Sequence, residues 1–290
     1  MAGAIQNFAG VLGWPLDHTL SPAIHSAAFR RLGFDWAYLT FPVPPERLGA
    51  AVEGLRALNA IGANVTIPHK EKVIEYLDQT SGDAAAIGAV NTIQRVGDTL
   101  IGHNTDVDGF REFVAGDAGI RVEGRRALVL GAGGAARAVV KALDDLGAAE
   151  ISIAARSSER GSALTELVGR ARARVEPWAD AAALAAESFL IVNATPLGGA
   201  GENPLSGAEW RADQALIDLV YSPPTTPLAA AARAAGAPAW GGLGMLVRQA
   251  AASFQIWTGQ DPPLETMSAA AVHAIGPSSS TRPSGMPKKE

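Results

Sequence analysis

The chain has 290 residues, of which 48% are hydrophobic and 18% charged, so it can bury one or two cores and is not expected to be disordered as a whole. The formal net charge of −5 gives no basic surface for nucleic acid, and no apolar run approaches the roughly 20 residues that span a bilayer. With no cysteine and no two histidines spaced to share a metal on one helix, neither disulfides nor a metal site is expected.

The N-terminal part of the chain alternates β-prone runs with segments of helical period. Strands are predicted at residues 8–15, 35–43 and 62–68, and helices at residues 21–33, 44–59 and 70–77. Strands that alternate with helices predict parallel pairing within an α/β sandwich. Two further β-prone runs, 89–96 and 99–106, are joined through Gly97-Asp98, and this turn signal predicts a hairpin.

A second series of βα units begins near residue 107. A helix at residues 107–119 is followed by a strand, a glycine-rich turn and a helix within residues 125–147. Further strands are predicted at residues 150–156, 188–196 and 214–221, and the last two helices at residues 241–259 and 263–275.

The two series predict an α/β protein of two lobes, an N-terminal α/β substrate domain and a Rossmann-type, doubly wound dinucleotide-binding domain. Residues 1–106 and 242–275 are assigned to the substrate lobe, and residues 107–241 to the cofactor lobe. Residues 276–290 are rich in Pro, Ser and Gly and are predicted to form a disordered tail. The first Lys or Arg is Arg30, so a basic signal-peptide start is missing and a cytoplasmic location is expected.

The stretch "LVLGAGGAARA" carries the clearest cofactor signal. Gly131, Gly133 and Ala136 fit the G-x-G-x-x-G/A arrangement after a strand and at the opening of a helix. Such glycines permit a tight turn and let backbone N–H groups approach a pyrophosphate at the positive helix end. The alternative is a plain βα turn, but the complete strand–turn–helix–strand unit favours nucleotide binding.

The end of the next strand indicates which dinucleotide binds. An acidic residue there would bond the ribose 2′-hydroxyl of NAD, but this chain has Arg156 and Arg160, with no Asp or Glu before Glu159. Guanidinium groups suit a 2′-phosphate, so NADP is predicted as the cofactor. The alternative is that both arginines are merely solvated surface residues.

Lys70 stands out in a chain whose basic residues are almost all arginine. Reduction of a carbonyl requires a proton donor, and lysine, with an ordinary pKa near 10.4, can give up a proton that arginine keeps. Asn64 and Thr66 precede Lys70 on one face of a strand, and Asn91 and Asp106 follow later strands. Because ligands bind at the carboxyl ends of parallel strands, these groups are expected to converge. Lys72 is interpreted as solvated.

Eight ordered segments give the chain a resemblance to the shikimate dehydrogenase family up to about residue 275. They are "GWPLDHTLSPAIHSAAF", "GANVTIPHK", "GAVNT", "GHNTD", "GAGGAARA", "NATPLG", "DLVYSP" and "GMLVRQAAASFQIWTG". The resemblance implies reversible reduction of 3-dehydroshikimate to shikimate with NADPH, on the route to aromatic amino acids and chorismate. It also implies a small-molecule substrate, no nucleic-acid or membrane partner and, as an expectation, a homodimer.

Roles for individual residues come from the same resemblance. Lys70 would transfer the proton with Asp106 as its partner. The side chains expected to bind the substrate's carboxylate or hydroxyls are Thr19, Ser21, Thr66, Asn91, Tyr221 and Gln249. The residues expected to contact the cofactor are Gly131, Ala132, Gly133, Gly134, Ala135, Arg156, Ser157, Arg160, Thr195, Leu219 and Gly242.

Three departures from the family pattern keep alternatives open. Thr19 stands where the family usually has serine, Ala155 replaces an asparagine, and Gly199 replaces a methionine expected near the nicotinamide. The added methyl group of Thr19 leaves quinate or an aminated analogue as alternative substrates. A non-catalytic ligand sensor on the same fold is a further alternative, although the presence of both Lys70 and Asp106 favours an enzyme.

Overall fold

The structure, a computed structural model, describes residues 7–16 and 19–276. Its first half contains a six-stranded sheet in the order β2-β1-β3-β5-β6-β4. The strands are β1 (Asn7–Gly13), β2 (Trp36–Pro42), β3 (Gly62–Val65), β4 (Gln79–Thr80), β5 (Thr92–Val96) and β6 (Thr99–His103). The helices are α1 (Ser21–Arg31), α2 (Leu48–Ala57), α3 (Gly82–Ile87) and α4 (Thr105–Glu112).

This first sheet is mixed, so the prediction of parallel pairing is only partly correct. Strand β1 pairs in parallel with β2 and β3, but β5 runs antiparallel to both β3 and β6. For the β5–β6 pair the cause is the predicted hairpin, which the structure confirms: Gly97 takes a φ of 63° and the chain reverses within two residues. A parallel β5–β6 pair would need a crossover connection of a dozen or more residues.

The α-helix predicted at residues 70–77 is wrong. The segment forms a short 3₁₀ helix at Lys72–Tyr76 instead. The carbonyl of Lys70, which an α-helix would bond to residue 74, accepts a hydrogen bond from Val90 N at 2.7 Å. The preceding strand also ends early, at Val65, before Pro68, which has no N–H to offer a sheet. Lys70 therefore lies on an irregular turn that is tied to the loop before β5.

The second half confirms a doubly wound Rossmann-type sheet, parallel throughout in the described residues, in the order β12-β11-β10-β7-β8-β9. The strands are β7 (Arg126–Leu130), β8 (Glu150–Ala155), β9 (Arg172–Pro177), β10 (Leu190–Asn193), β11 (Ala215–Asp218) and β12 (Ala239–Gly241). The helices are α5 (Gly134–Asp145), α6 (Ser158–Thr165), α7 (Ala181–Glu187), α8 (Pro227–Ala234), α9 (Leu243–Thr258) and α10 (Leu264–Ile275). The predicted α/β class with two lobes is therefore confirmed.

Helix α9 returns from the second sheet to the first. It packs against α1, α4 and α10, and Trp257 Nε1 donates a hydrogen bond to the carbonyl of Ile93 in β5 at 2.9 Å. The approach of α9 to α4 requires Gly109, because a Cβ there would lie 2.8 Å from the backbone N of Gln249. The predicted disordered tail lies, apart from Gly276, outside the described residues.

His25 on α1 is fully buried and makes the stability of the substrate lobe sensitive to acid. Its ring stacks on Tyr38 at a centroid distance of 4.5 Å, and neither ring nitrogen has a hydrogen-bond partner among the described residues. Burial lowers the pKa of His25 from 6.5 to about 3. The unfolded chain therefore takes up this proton at higher pH than the folded protein does, so the free energy of unfolding falls as pH drops from 6.5 towards 3.

We expect His25→Phe to remove this part of the acid sensitivity, because phenylalanine keeps an aromatic ring beside Tyr38 but cannot be protonated. When the pH is lowered from 7 to 5, the parent protein should lose about 2 kcal/mol of its free energy of unfolding through His25. The His25→Phe variant should not show this loss. Urea unfolding of both proteins at the two pH values measures the difference. A His273→Gln control, at an exposed position on α10, should behave as the parent does. Equal acid sensitivity in the parent and His25→Phe would contradict the assignment.

Candidate active site

A cleft of about 940 Å³ lies between the carboxyl ends of the two sheets. Ligand sites of open α/β sheets are found at such strand ends. All the site residues predicted from the sequence line this cleft. From the substrate lobe and the returning helix they are Thr19, Ser21, Thr66, Lys70, Asn91, Asp106 and Gln249. From the cofactor lobe they are Gly131, Ala132, Gly133, Gly134, Ala135, Arg156, Ser157, Arg160, Thr195, Leu219, Tyr221 and Gly242.

Lys70 and Asp106 form an ion pair at the floor of the cleft. Lys70 Nζ lies 2.6 Å from Asp106 Oδ2, and the two side chains are 16% and 7% exposed. Asp106 is placed by the first turn of α4, where the side chain of Asn104 caps the helix by accepting from Asp106 N at 3.0 Å. A carboxylate at this position is also stabilised by the positive end of the helix dipole. The pair therefore holds an ammonium group, with little water around it, at a fixed point in the cleft.

Asn91 connects this ion pair to α9. Its Nδ2 lies 2.9 Å from Asp106 Oδ1 and 3.3 Å from Gln249 Oε1, and its Oδ1 accepts from Thr105 N at 2.8 Å. These contacts fix the orientation of the amide and give both carboxylate oxygens of Asp106 a donor. Asn91, Asp106 and Gln249 consequently present a continuous polar wall to the cleft.

A second polar layer lies beneath this wall and connects Asn64, a residue predicted at the cleft, to Thr92 and to Ser253, which was not predicted. Ser253 Oγ, fully buried on α9, lies 2.8 Å from Thr92 Oγ1 and 3.0 Å from Asn64 Nδ2. Tyr38 donates to Asn64 Oδ1 at 2.6 Å, and burial raises the pKa of this phenol. One signal was available, because Ser253 follows Gln249 by four residues and so shares its helix face. The Tyr38 contact has no comparable signal, since it joins distant segments.

The N-terminus of α1 provides hydroxyl groups at one end of the cleft. Ser21 is the first residue of the helix, and its backbone N donates to Thr19 Oγ1 at 3.3 Å. Thr66 directly follows β3. Its methyl group packs against Gly13, where a Cβ would lie 2.4 Å from Thr66 Cγ2. Tyr221 reaches the cleft from the other lobe, and burial raises the pKa of its phenol. Hydroxyl donors at a helix N-terminus suit an anionic group such as a carboxylate.

The glycine-rich turn between β7 and α5 faces these residues. Gly131 has a φ of 102°, and a Cβ on it would lie 2.8 Å from Thr195. A Cβ on Gly133 would have no neighbouring atom within 4 Å, so the space next to this part of the turn is open. Gly134 opens α5, and a Cβ there would lie 3.3 Å from Cδ of Lys70. The turn thus offers bare backbone N–H groups at a helix N-terminus directly beside Lys70, which fits a dinucleotide pyrophosphate.

The arginines predicted to select the cofactor lie beyond this turn, at the end of β8. Ser157 caps α6 by accepting from Arg160 N at 3.3 Å, and Arg156 and Arg160 line the cleft with exposed side chains. Trp178 lines the same region but was not predicted, because the strand that precedes it, β9, was itself missed.

Among residues 7–16 and 19–276, no group of three His, Asp or Glu side chains is placed to hold a metal ion. In the same ranges, no helix has both the length and the apolar composition needed to cross a bilayer.

A Rossmann-type sheet that faces a second α/β lobe across a polar cleft, with a lysine–carboxylate pair beside the dinucleotide turn, defines a two-lobed dinucleotide-dependent oxidoreductase. Three family models match the chain. They describe a shikimate dehydrogenase substrate binding domain at residues 11–93, a shikimate/quinate 5-dehydrogenase at residues 114–205 and a shikimate 5′-dehydrogenase C-terminal domain at residues 242–272. The chain belongs to the shikimate dehydrogenase family.

Individual relatives of the chain support this family assignment. Shikimate dehydrogenase (NADP(+)) of Citrifermentans bemidjiense is 44% identical over 263 residues, covering 88% of this chain and 91% of the relative. Shikimate 5-dehydrogenase of Thermus thermophilus, solved with NADP(H) and shikimate, is 38% identical at a TM-score of 0.82, covering 93% of this chain and 100% of that one. Quinate dehydrogenase of Corynebacterium glutamicum, solved with NAD, is 28% identical at a TM-score of 0.82, covering 92% and 98%.

Proposed function

We propose that this protein is an NADP-dependent shikimate dehydrogenase that interconverts 3-dehydroshikimate and shikimate in the synthesis of aromatic amino acids. The observation that carries the proposal is the Lys70–Asp106 pair, 2.6 Å apart, with the Lys70 stem so near the first residue of the dinucleotide helix that a Cβ on Gly134 would lie 3.3 Å from Lys70 Cδ. A proton donor and a hydride source are both needed at one carbonyl group, and this is the place in the cleft where the two would meet. The relatives named shikimate dehydrogenase (NADP(+)) support the same activity.

NADPH, when bound, supplies the hydride for the carbonyl carbon. Lys70 donates a proton from Nζ to the oxygen of that carbonyl, so that one hydride and one proton give the alcohol. In the reverse direction Lys70 accepts the proton of the hydroxyl group. Asp106 keeps the ammonium group in place and offsets its charge, since a lone buried ammonium would be costly to desolvate.

The remaining polar residues orient the substrate. Thr19, Ser21 and Tyr221 bind the carboxylate at the N-terminus of α1, where the helix dipole also favours a negative charge. The ring hydroxyls are bound by Thr66, Asn91, Asp106 and Gln249, whose amide and hydroxyl groups can donate or accept and whose carboxylate accepts. Holding the ring at both ends brings the reacting carbon to Lys70 in one orientation.

The cofactor is held along the other wall of the cleft. The backbone from Gly131 to Ala135 binds the pyrophosphate, and Thr195, Leu219 and Gly242 line the part of the cleft nearest the substrate. Arg156, Ser157 and Arg160 bind the 2′-phosphate that distinguishes NADP from NAD. A cytoplasmic location and a homodimeric state belong to the same proposal, and cell fractionation and sedimentation test them.

The direct test follows absorbance of the reduced nicotinamide with shikimate or quinate and with NADP or NAD, in all four combinations. We expect shikimate with NADP to give the highest kcat/KM. Quinate should fall below shikimate by about 10–100-fold, because a site rejects an added hydroxyl only moderately. A higher kcat/KM with quinate would instead assign the alternative that Thr19 leaves open. No reduction of cofactor in any combination would indicate a ligand sensor.

A further inference from the structure

An ion pair spans the cleft between the two lobes. Glu71, which directly follows Lys70 on the irregular turn, places Oε1 3.5 Å from Nη2 of Arg160 on α6. Both residues line the cleft, and their side chains are 49% and 62% exposed. The pair joins the turn that carries Lys70 to the first turn of α6, which follows β8.

Arg156 differs from Arg160 in this respect. Within residues 7–16 and 19–276, Arg156 takes part in no ion pair, although it lines the same part of the cleft. Of the two arginines proposed for the 2′-phosphate, one therefore already contacts a carboxylate from the opposite lobe, and the other does not. This asymmetry makes the two arginines unequal as phosphate ligands.

We propose that Glu71 is a specificity-determining residue that competes with the cofactor's 2′-phosphate for Arg160. The inference rests on the proposed function, in which Arg160 binds that phosphate. A guanidinium group pairs with a carboxylate or a phosphate through the same fork of N–H donors, so the phosphate must displace Glu71 to bind in full. NAD carries no 2′-phosphate and leaves the pair intact, so Glu71 weakens NADP binding selectively and moderates the preference for NADP.

The competition has a second consequence because Glu71 is adjacent to Lys70. Binding of the 2′-phosphate frees the turn from α6, whereas NAD leaves it tethered. The turn that carries the proposed proton donor is thus in a different state with each cofactor.

The test is a titration of NADPH and NADH, followed by nucleotide fluorescence, on the intact protein at low ionic strength. Glu71→Gln should tighten NADPH by about 1.5–5-fold, the range for an exposed ion pair, and leave NADH unchanged. Glu75→Gln is the matched control, because Glu75 is an exposed carboxylate on the same turn that pairs with Lys72 and does not line the cleft. This control should leave both dissociation constants unchanged.

The same titrations on Arg160→Gln and Arg156→Gln backgrounds identify the partner. Glu71→Gln should have no effect once Arg160 is replaced, and should keep its effect once Arg156 is replaced. Weaker NADPH binding in Glu71→Gln, or an equal change for both nucleotides, would overturn the inference. If Arg160→Gln alone weakens NADPH selectively while Glu71→Gln is silent, this inference fails and the proposed function stands. If Arg160→Gln weakens both nucleotides equally, the assignment of the 2′-phosphate fails as well.

Discussion

Replacing Lys70 with alanine is expected to lower kcat by roughly 10²–10⁴-fold, the usual contribution of a positioned acid–base group. Cofactor binding should change little, because the pyrophosphate is proposed to bind backbone N–H groups from Gly131 to Ala135 and not the Lys70 side chain. Steady-state turnover together with NADPH titration separates the two effects. The matched control is Lys72→Ala, since Lys72 is 59% exposed and pairs with Glu75 outside the cleft.

Lys70→Arg distinguishes proton transfer from simple charge. Arginine keeps a positive group near Asp106 but holds its proton too tightly to serve as an acid at neutral pH. If Lys70 transfers the proton, arginine should restore little turnover even where shikimate still binds. Near-parental turnover in Lys70→Arg would instead mean that the ammonium group only orients the substrate, and that the proton comes from another donor.

The parts of the fold that the sequence predicted are those with their own local signal. The glycine turn after β7 and the hairpin at Gly97 need backbone conformations that few residues allow, so composition alone marks them. The missed strands lack such a signal. Strand β9 alternates charged and small residues at the edge of its sheet, and β4 and β12 have only two and three residues. All three are strands because a neighbour pairs with them, and pairing is a tertiary property.

The residues of the candidate site also differ in whether the local sequence marks them. Several residues that line the cleft, such as Asn64 and Asn91, are polar groups near strand ends, and such groups are conspicuous beside an otherwise apolar strand. Ser253 in the layer beneath them is not conspicuous, because it bonds to Thr92 and Asn64 across long sequence separations. Glu71 likewise resembles an ordinary surface residue until its partner on the other lobe is known. Contacts of this kind are fixed by packing and carry no periodic pattern.

Arg156→Asp is expected to reverse the preference between the two cofactors. Arg156 directly follows the last residue of β8, the position at which a carboxylate would bond the ribose 2′-hydroxyl of NAD. The substitution removes a charge-assisted contact to the 2′-phosphate and places a negative charge beside it. NADP binding should weaken by about 1.5–3 kcal/mol, while NAD binding stays unchanged or improves.

Arg121→Asp is the control that separates the loss of a local contact at Arg156 from the effect of changing the overall charge of the lobe. It makes the same change in net charge at an exposed position before the start of β7, away from the cleft. Titration of NADPH and NADH on both variants should give a selective loss of NADPH in Arg156→Asp alone. Equal losses of both nucleotides in Arg156→Asp would mean that Arg156 supports the fold of the cleft or contacts a part common to both cofactors. The 2′-phosphate would then depend on Arg160, whose carboxylate partner Glu71 would remain the residue that limits its binding.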